Sequence, residues 1–228
     1  MVDEEKKSEN ETDLADKLSS KFVDFFFSKE SSTKRWLVVL LIAGFMLRLI
    51  AALNLDVLAD DMVYASQSAG IISAKILSTH SNPPLFFYLT DLAYKVFGYT
   101  TFASRFWPLI FGTLLIPLSF LITRKFFNEK IALLTAFFVT FSTFLIKVTY
   151  TEQSLVVLFF AMFGIYLGLE YLDKVKTNFL FFSAILFGLA MLTKYSAPFF
   201  ILSFLVFAPF YAKSKDKKFY SKRNFKHL

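Results

Sequence analysis

Long, nearly uncharged apolar runs dominate the sequence and restrict the folds open to it. A membrane-spanning helix needs about 20 mainly apolar residues, because each residue rises about 1.5 Å through a hydrocarbon layer of about 30 Å. Hydrophobic residues make up 56% of the 228 residues, and charged residues only 19%. Six runs approach the required length, at about 36–53, 102–123, 131–148, 154–172, 179–192 and 197–211. We therefore predict an all-α polytopic membrane protein with about six transmembrane helices.

Basic residues near the ends of these runs predict the orientation. Lys34 and Arg35 precede the first run, and further clusters follow the second, fourth and sixth runs. If the polar segment after the first run does not cross the membrane, all of these clusters fall on the same side. The positive-inside tendency requires such a one-sided distribution. We predict a multi-pass protein of the cell membrane with both termini cytoplasmic. Its parts are a polar tail (1–33), a membrane module (34–212) with an outer loop (54–101), and a basic tail (213–228).

Charge and cysteine content exclude several classes of function. The net charge is +7, but the excess lies mostly in 213–226, where it fixes orientation and contacts anionic lipid. No folded basic domain accompanies this tail, so we expect no nucleic-acid partner. The absence of cysteine excludes disulfides and thiol nucleophiles. No cleavable signal peptide is visible, because the first apolar run follows about thirty polar residues, and we expect the first helix to remain as an anchor.

The segment after the first run is apolar only in patches. Its apolar residues are spaced so that they form one face of a helix, made of Met62, Ala65, Ala69, Ile72 and Ile76. The pattern predicts two juxtamembrane helices along the outer surface, separated by Asn82-Pro83-Pro84. The other outer loops, 149–153 and 193–196, are very short. Only the first outer loop has room for chemistry.

Four stretches in and around this loop occur in a recognisable order. They are Arg48 followed by Asp60-Asp61-Met62-Val63-Tyr64, then Asn82-Pro83-Pro84-Leu85, then Arg105 in a Ser-Arg-Phe-Trp-Pro context, and finally Gly188 to Lys194. This order resembles the GT-C class of membrane glycosyltransferases, particularly the dolichyl-phosphate-mannose protein mannosyltransferases and aminoarabinose transferases. Asp61 replaces the glutamate typical of that family, and Asn82 replaces a histidine or lysine. The chain resembles the N-terminal module only.

The resemblance implies an inverting transfer of one sugar from a polyprenyl-phosphate donor to a protein, glycan or lipid acceptor on the extracytoplasmic face. Asp60 of the catalytic pair Asp60-Asp61 would be the general base that takes the proton of the acceptor hydroxyl. Two cations, Arg105 and Lys194, would hold the lipid-linked phosphate. Tyr64 and Arg48 would orient the acids.

Each of these residues also has a simpler interpretation. The acidic pair could merely cap the start of a surface helix, and Lys194 could extend to lipid headgroups. A charge within a span costs on the order of 2.5–3.5 kcal/mol, so we expect Arg48 to have an acidic partner, either Asp56 or the acidic pair. The sequence leaves open a divalent metal site or an acceptor-positioning role at His80 and Glu152. The aromatic side chains of Phe86, Phe87 and Tyr88 are predicted to seat the second surface helix at the membrane interface.

Two other classes of function remain open from the sequence. A transporter segment would bury ionisable groups at mid-membrane, whereas the middles of the later runs here are nearly free of charge. A non-catalytic or truncated membrane scaffold, working with a separate C-terminal part or subunit, fits the shortness of the chain.

Overall fold

A computed structural model describes residues 32–57, 59–74, 82–150 and 152–214. These residues form helices and no strands. The helices are α1 (Ser32–Asn54), α2 (Ala59–Ser68), α3 (Leu85–Phe97), α4 (Thr101–Phe126), α5 (Glu129–Phe141), α6 (Thr143–Lys147), α7 (Ser154–Lys174), α8 (Thr177–Met191) and α9 (Ala197–Ser214). The short helices α2 and α3 flank the Pro-Pro segment, as predicted for the first outer loop.

Four helices within the described ranges, α1, α4, α7 and α9, are long and apolar enough to cross a membrane. The helix α8 is apolar but has only 15 residues. The prediction of an all-α polytopic membrane protein is confirmed. The predicted run at 179–192 corresponds to this shorter helix.

The predicted continuous span at 131–148 is wrong, because the chain breaks at Ser142 into α5 and α6. The Ser142 backbone leaves the helical region, and its hydroxyl accepts a hydrogen bond from the Leu145 N–H at 3.3 Å. A side-chain oxygen in this position satisfies a backbone donor at the start of the next helix. Ser142 therefore begins α6 as well as ending α5.

Contacts between helix ends define the two ends of the bundle. The Thr33 hydroxyl at the start of α1 donates to Glu129 at the start of α5 at 2.9 Å, and Arg124 at the end of α4 lies 3.9 Å from Glu129. We call this the tail end. At the other end, α2 and α3 lie against the end of α1 and the start of α4, and we call it the loop end. Helices α1, α5 and α8 run toward the loop end, and α4, α7 and α9 run away from it.

A cluster of charged groups joins three helices at the tail end. The Lys125 ammonium of α4 lies 2.6 Å from Glu170 and 2.9 Å from Asp173, both on α7. The Tyr211 hydroxyl of α9 donates to Asp173 at 3.1 Å. Lys125 at the end of α4 thus pairs with two carboxylates of the neighbouring helix α7.

Aromatic residues of α3 anchor the loop end to the core. Phe86 and Phe87 are fully buried and pack against Val156 and Val157 at the start of α7. The prediction that these rings seat α3 at the membrane interface is therefore wrong for both. Both residues lie in the first turn of α3, just after the Pro-Pro segment. Their burial shows that this turn faces the bundle. Gly98 then ends α3 with a positive φ of 74°, a conformation that favours glycine.

Candidate functional site at the loop end

Arg105 near the start of α4 forms the centre of the loop end. Its side chain is fully buried, and both terminal nitrogens donate hydrogen bonds. Its acceptors are the carbonyl oxygens of Ala52 (3.1 Å), Leu55 (2.8 Å) and Asp56 (3.1 Å), and the Asp61 carboxylate (3.0 Å). The end of a helix leaves carbonyls unpaired and partly negative, so a cation stabilises it. Arg105 therefore ties the end of α1 to the start of α2.

Asp61, the second acid of the pair, is committed to this contact. It is 2% exposed, and its carboxylate pairs with Arg105 in a region without bulk water. The backbone of Asp60 lies in α2, while its side chain falls outside the described residues. Arg105 was predicted to hold a lipid-linked phosphate. Its guanidinium is fully buried, and its two terminal nitrogens bind Asp61 and three backbone carbonyls.

Asp91 on α3 is a positioning residue that the sequence analysis did not single out. It is 1% exposed and accepts hydrogen bonds from the Gly70 N–H at 3.0 Å and the Ile72 N–H at 3.1 Å. These contacts fix the turn after α2 against α3. The signal was present, because Asp91 lies four residues after Phe87 on the same helical face.

Tyr94 follows on the buried face of α3, close to the acidic pair. Burial raises the pKa of its phenol above the ordinary value, and the nearby carboxylates of Asp61 and Asp91 act in the same direction. Its side chain is hydrogen-bonded to Ser104 of α4. The phenol therefore stays protonated at neutral pH.

A second ion pair lies where α7 begins and α8 ends. The Lys194 ammonium donates to the Glu152 carboxylate at 2.5 Å and to the Ser154 hydroxyl at 2.9 Å. Glu152 also accepts from the Ser154 N–H at 3.1 Å. Glu152 is 7% exposed, whereas the Lys194 side chain is 29% exposed. Of the two cations predicted to hold phosphate, Lys194 is the one that reaches the surface.

The helix α3 connects the two ion pairs. Its first residue, Leu85, donates its N–H to the Leu192 carbonyl beyond α8 at 2.9 Å. The Trp107 indole of α4 donates to the Leu89 carbonyl of α3 at 2.5 Å. Both pairs therefore belong to the same end of the bundle.

Among the described side chains, Arg48 has no acidic partner of the kind predicted. It is fully buried, and its described hydrogen bonds go to the carbonyl oxygens of Gly44 (3.1 Å), Val139 (2.9 Å) and Thr140 (3.4 Å). Val139 and Thr140 lie in the last turn of α5, whose carbonyls lose their helical partners at the break. Arg48 thus stabilises the broken end of α5, and none of its described hydrogen bonds goes to Asp61.

Tyr64 also has neighbours other than those predicted. Its ring packs on Phe86 and Phe87, with centroid distances of 6.4 Å and 6.1 Å. Aromatic pairs at such distances contribute about 0.5–1.5 kcal/mol beyond area burial. In the described contacts Tyr64 therefore joins α2 to α3.

The metal site suggested at His80 and Glu152 can be checked only at Glu152 within the described ranges. His80 lies outside the described residues. Glu152 is paired with Lys194, and a cation already in place disfavours a second one. Among the described side chains, no group of three or more histidine, aspartate or glutamate residues could hold a metal ion. The described part of the loop end does not fit a metal cofactor.

The family described as dolichyl-phosphate-mannose-protein mannosyltransferase matches residues 81–225, well over half of the chain. This range includes Arg105, Glu152 and Lys194 and begins after the acidic pair. An uncharacterized protein of Aquifex aeolicus (strain VF5) is 29% identical over 130 residues, which are 56% of this chain and 26% of that protein. The chain thus spans about a quarter of the length of that curated relative.

No solved structure matches the chain. The family match extends from the Pro-Pro segment through the last described helix, and Arg105, Glu152 and Lys194, which lie within that range, meet at one end of the bundle. The chain therefore belongs to the dolichyl-phosphate-mannose-protein mannosyltransferase family.

Proposed function

We propose that this chain is the catalytic membrane module of a glycosyltransferase that moves a sugar from a polyprenyl-phosphate donor to an acceptor hydroxyl on the extracytoplasmic face. One observation carries the proposal: Arg105 fixes α2, and with it the acidic pair, at the same end of the bundle as Lys194. A base and a phosphate-binding cation at one membrane edge are what this reaction needs.

The reaction is a single displacement with inversion. Asp60 takes the proton of the acceptor hydroxyl while that oxygen attacks the anomeric carbon of the donor sugar. The bond between this carbon and the phosphate oxygen breaks on the opposite side. Polyprenyl phosphate leaves as an anion, and no nucleotide sugar takes part.

The structure favours different tasks for the two acids and the two cations. Asp61 is held by Arg105, so we assign the proton transfer to the other acid of the pair, Asp60. Lys194 is partly exposed beside Glu152, so its ammonium can meet the leaving phosphate without first being uncovered. In this proposal Arg105 does not contact the substrate, and its task is to hold Asp61 in position.

The Asp60→Asn variant tests the base. Removing a general base lowers a rate typically by about 10²–10⁴-fold, since the amide accepts no proton at neutral pH. We expect such a loss in the transfer of radiolabelled mannose from dolichyl phosphate to acceptors in native membrane vesicles. Asp56→Asn is the matched control, because the Asp56 side chain is exposed and only its backbone carbonyl binds Arg105.

Folding of both variants is checked by their elution as a single species in detergent. Full transfer activity in a folded Asp60→Asn protein would remove Asp60 as the base. Equal losses in the two variants would show that the effect is not specific to Asp60, which also contradicts the assignment.

A second candidate is a subunit or fragment that works only with further membrane helices. The observation that favours it is the 26% coverage of the Aquifex aeolicus relative. In this case, the chain supplies the acidic pair and the residues that hold it. A separate membrane protein then completes the groove that binds the donor. Transfer activity of the purified chain alone in proteoliposomes decides against this candidate, and activity only after addition of a co-purifying membrane protein supports it.

A further inference from the structure

Two polar side chains in the connector between α6 and α7 have no task in the proposed reaction. Thr149 and Gln153 are both fully buried, each with 0% of its surface exposed. Among the described residues, no group hydrogen-bonds the Gln153 amide oxygen, the Gln153 amide nitrogen or the Thr149 hydroxyl. Gln153 directly precedes α7, yet its side chain caps none of the first N–H groups of that helix. Three polar atoms in one short connector therefore have no described partner.

The connector is enclosed by its neighbours. Val148, the residue after α6, belongs to one buried apolar cluster with Leu155 of α7 and Leu115 of α4. The buried rings in the first turn of α3 cover the next two residues of α7. Bulk water therefore does not reach the Gln153 amide or the Thr149 hydroxyl in this arrangement.

Such burial makes the polar side chains hard to explain by packing. A buried polar group without a hydrogen bond destabilises a protein, whereas an apolar side chain of similar shape in its place is neutral or stabilising. Methionine is about as long as glutamine, and valine has nearly the shape of threonine. Internal water molecules typically form about three hydrogen bonds with buried groups that lack protein partners. The three atoms of Gln153 and Thr149 match that number.

The same connector carries the partners of the cation assigned to the donor phosphate. The Lys194 ammonium donates to the carboxylate of Glu152 and to the hydroxyl of Ser154. Gln153 is the residue between these two acceptors. A shift of Gln153 would therefore move both acceptors, and the ammonium with them.

We propose that Gln153 and Thr149 share one buried water molecule, and that this bridge makes them positioning residues for Lys194. Both side chains are neutral, and together they offer hydrogen-bond donors and acceptors, which suits water better than a cation or an anion. The bridge holds the connector in one conformation and so fixes the site that receives the phosphate. The positioning role rests on the proposed transferase function, because it takes Lys194 as the phosphate-binding cation.

Thermal unfolding of the full chain in detergent tests the water bridge. We expect Gln153→Met and Thr149→Val each to lower the unfolding temperature by about 2–4 °C, since each removes hydrogen bonds to the shared water. If these groups bind no water, the same substitutions remove unsatisfied polar atoms and raise the unfolding temperature. The shift in the double variant should be smaller than the sum of the single shifts, because both side chains act through one molecule.

Thr90→Val is the matched control for the threonine. Thr90 of α3 is also 0% exposed, but its hydroxyl donates to the Phe86 carbonyl of its own helix at 2.9 Å. Its effect should add to that of Gln153→Met. Thr149→Ser keeps the hydroxyl and should remain coupled to Gln153→Met as the unmodified residue is.

Binding of dolichyl phosphate tests the positioning role without any sugar transfer, because this lipid is the leaving group of the proposed reaction. Native mass spectrometry of nanodiscs with graded amounts of dolichyl phosphate gives an apparent dissociation constant for the folded protein. We expect it to rise about tenfold in Gln153→Met and in Thr149→Val, the size of effect that one hydrogen bond has. Thr149→Ser and Thr90→Val should keep the original affinity, since a loss of stability alone does not weaken binding to the folded fraction.

The outcomes separate this proposal from the transferase proposal. A higher unfolding temperature in Gln153→Met, or single shifts that simply add in the double variant, overturns the shared water. Unchanged affinity for dolichyl phosphate in both single variants overturns the positioning role, and neither result affects Asp60 as the base. If Lys194→Met binds dolichyl phosphate as the unmodified protein does, the phosphate site of the proposed function is wrong, and the positioning role falls with it while the unfolding data still decide on the water.

Discussion

Arg105 shows why the type of cation matters at the loop end. Its two terminal nitrogens bind three backbone carbonyls and one carboxylate at the same time. A guanidinium offers five N–H donors in a fixed plane, whereas an ammonium is a compact charge with three donors. The arrangement therefore requires arginine in particular, and not merely a positive charge.

We predict that Arg105→Lys destabilises the folded protein by about 3 kcal/mol, because hydrogen bonds to charged groups contribute about 1.5–3 kcal/mol each and more than one is lost. The measurement is thermal unfolding of the purified protein in detergent. Arg124→Lys is the control, since the Arg124 side chain is 50% exposed and lies at the tail end. Similar unfolding temperatures for the two variants would contradict the role given to Arg105.

The sequence pointed to the charged residues that form ion pairs at the loop end, but it did not predict which partners they would have. The resemblance drew attention to Asp61, Arg105 and Lys194, and all three lie in ion pairs there. Arg48 was assigned a carboxylate partner on energetic grounds, yet it binds carbonyls. The cost of a buried cation can be offset by any set of acceptors, and which set is available depends on how α5 ends.

At the scale of the helices, close packing around Arg48 depends on glycine. A Cβ built at Gly112 of α4 would lie 2.8 Å from a methyl group of Leu155 and 3.2 Å from the Arg48 Nε. Gly44 of α1 faces the same arginine, also at 3.2 Å. These two glycines let α1 and α4 approach each other around a long buried side chain.

We predict that Gly112→Ala destabilises the protein by about 1–3 kcal/mol, as overpacking of a filled core does. The control is Gly188→Ala in α8, where a Cβ meets nothing within 4 Å. There the better helix propensity of alanine should stabilise the helix by about 0.5–1 kcal/mol. We expect the unfolding temperature in detergent to fall for Gly112→Ala and to rise for Gly188→Ala. A shift of the same sign and size in both variants would rule out the packing explanation.

Helix positions were largely predictable, and the break at Ser142 was not. The bounds of α1, α4 and α7 follow from apolar length alone, and α3 begins directly after the Pro-Pro turn. The sequence around Ser142 contains neither proline nor glycine. What supports the break is Arg48 of another helix, which binds the Val139 and Thr140 carbonyls. Such a tertiary contact leaves no local signal.

At the scale of the whole molecule, the two ends differ in charge and construction. The tail end has the clustered lysines and the Lys125 network, and the loop end has the two ion pairs. The positive-inside tendency predicts that the tail end faces the cytoplasm.

Because the chain contains no cysteine, single cysteines can report this orientation directly. We predict that Ser66→Cys, exposed on α2, reacts with a membrane-impermeant maleimide on intact cells. Ser214→Cys, exposed at the end of α9, should react only after permeabilisation. Labelling in the opposite order would place the acidic pair in the cytoplasm and remove the transferase proposal with it.

The shortness of α8 affects the surrounding bilayer. Its 15 residues extend about 22 Å at the usual rise, against a hydrocarbon layer of about 30 Å. The bilayer thins locally beside a helix of this length, because its hydrocarbon chains would otherwise face the polar ends of the helix. Lys194 follows this helix within three residues, so local thinning of the bilayer would bring the lipid headgroups closer to its ammonium. The headgroup of an anionic lipid beside α8 would be brought closer to that charge together with the rest of its leaflet.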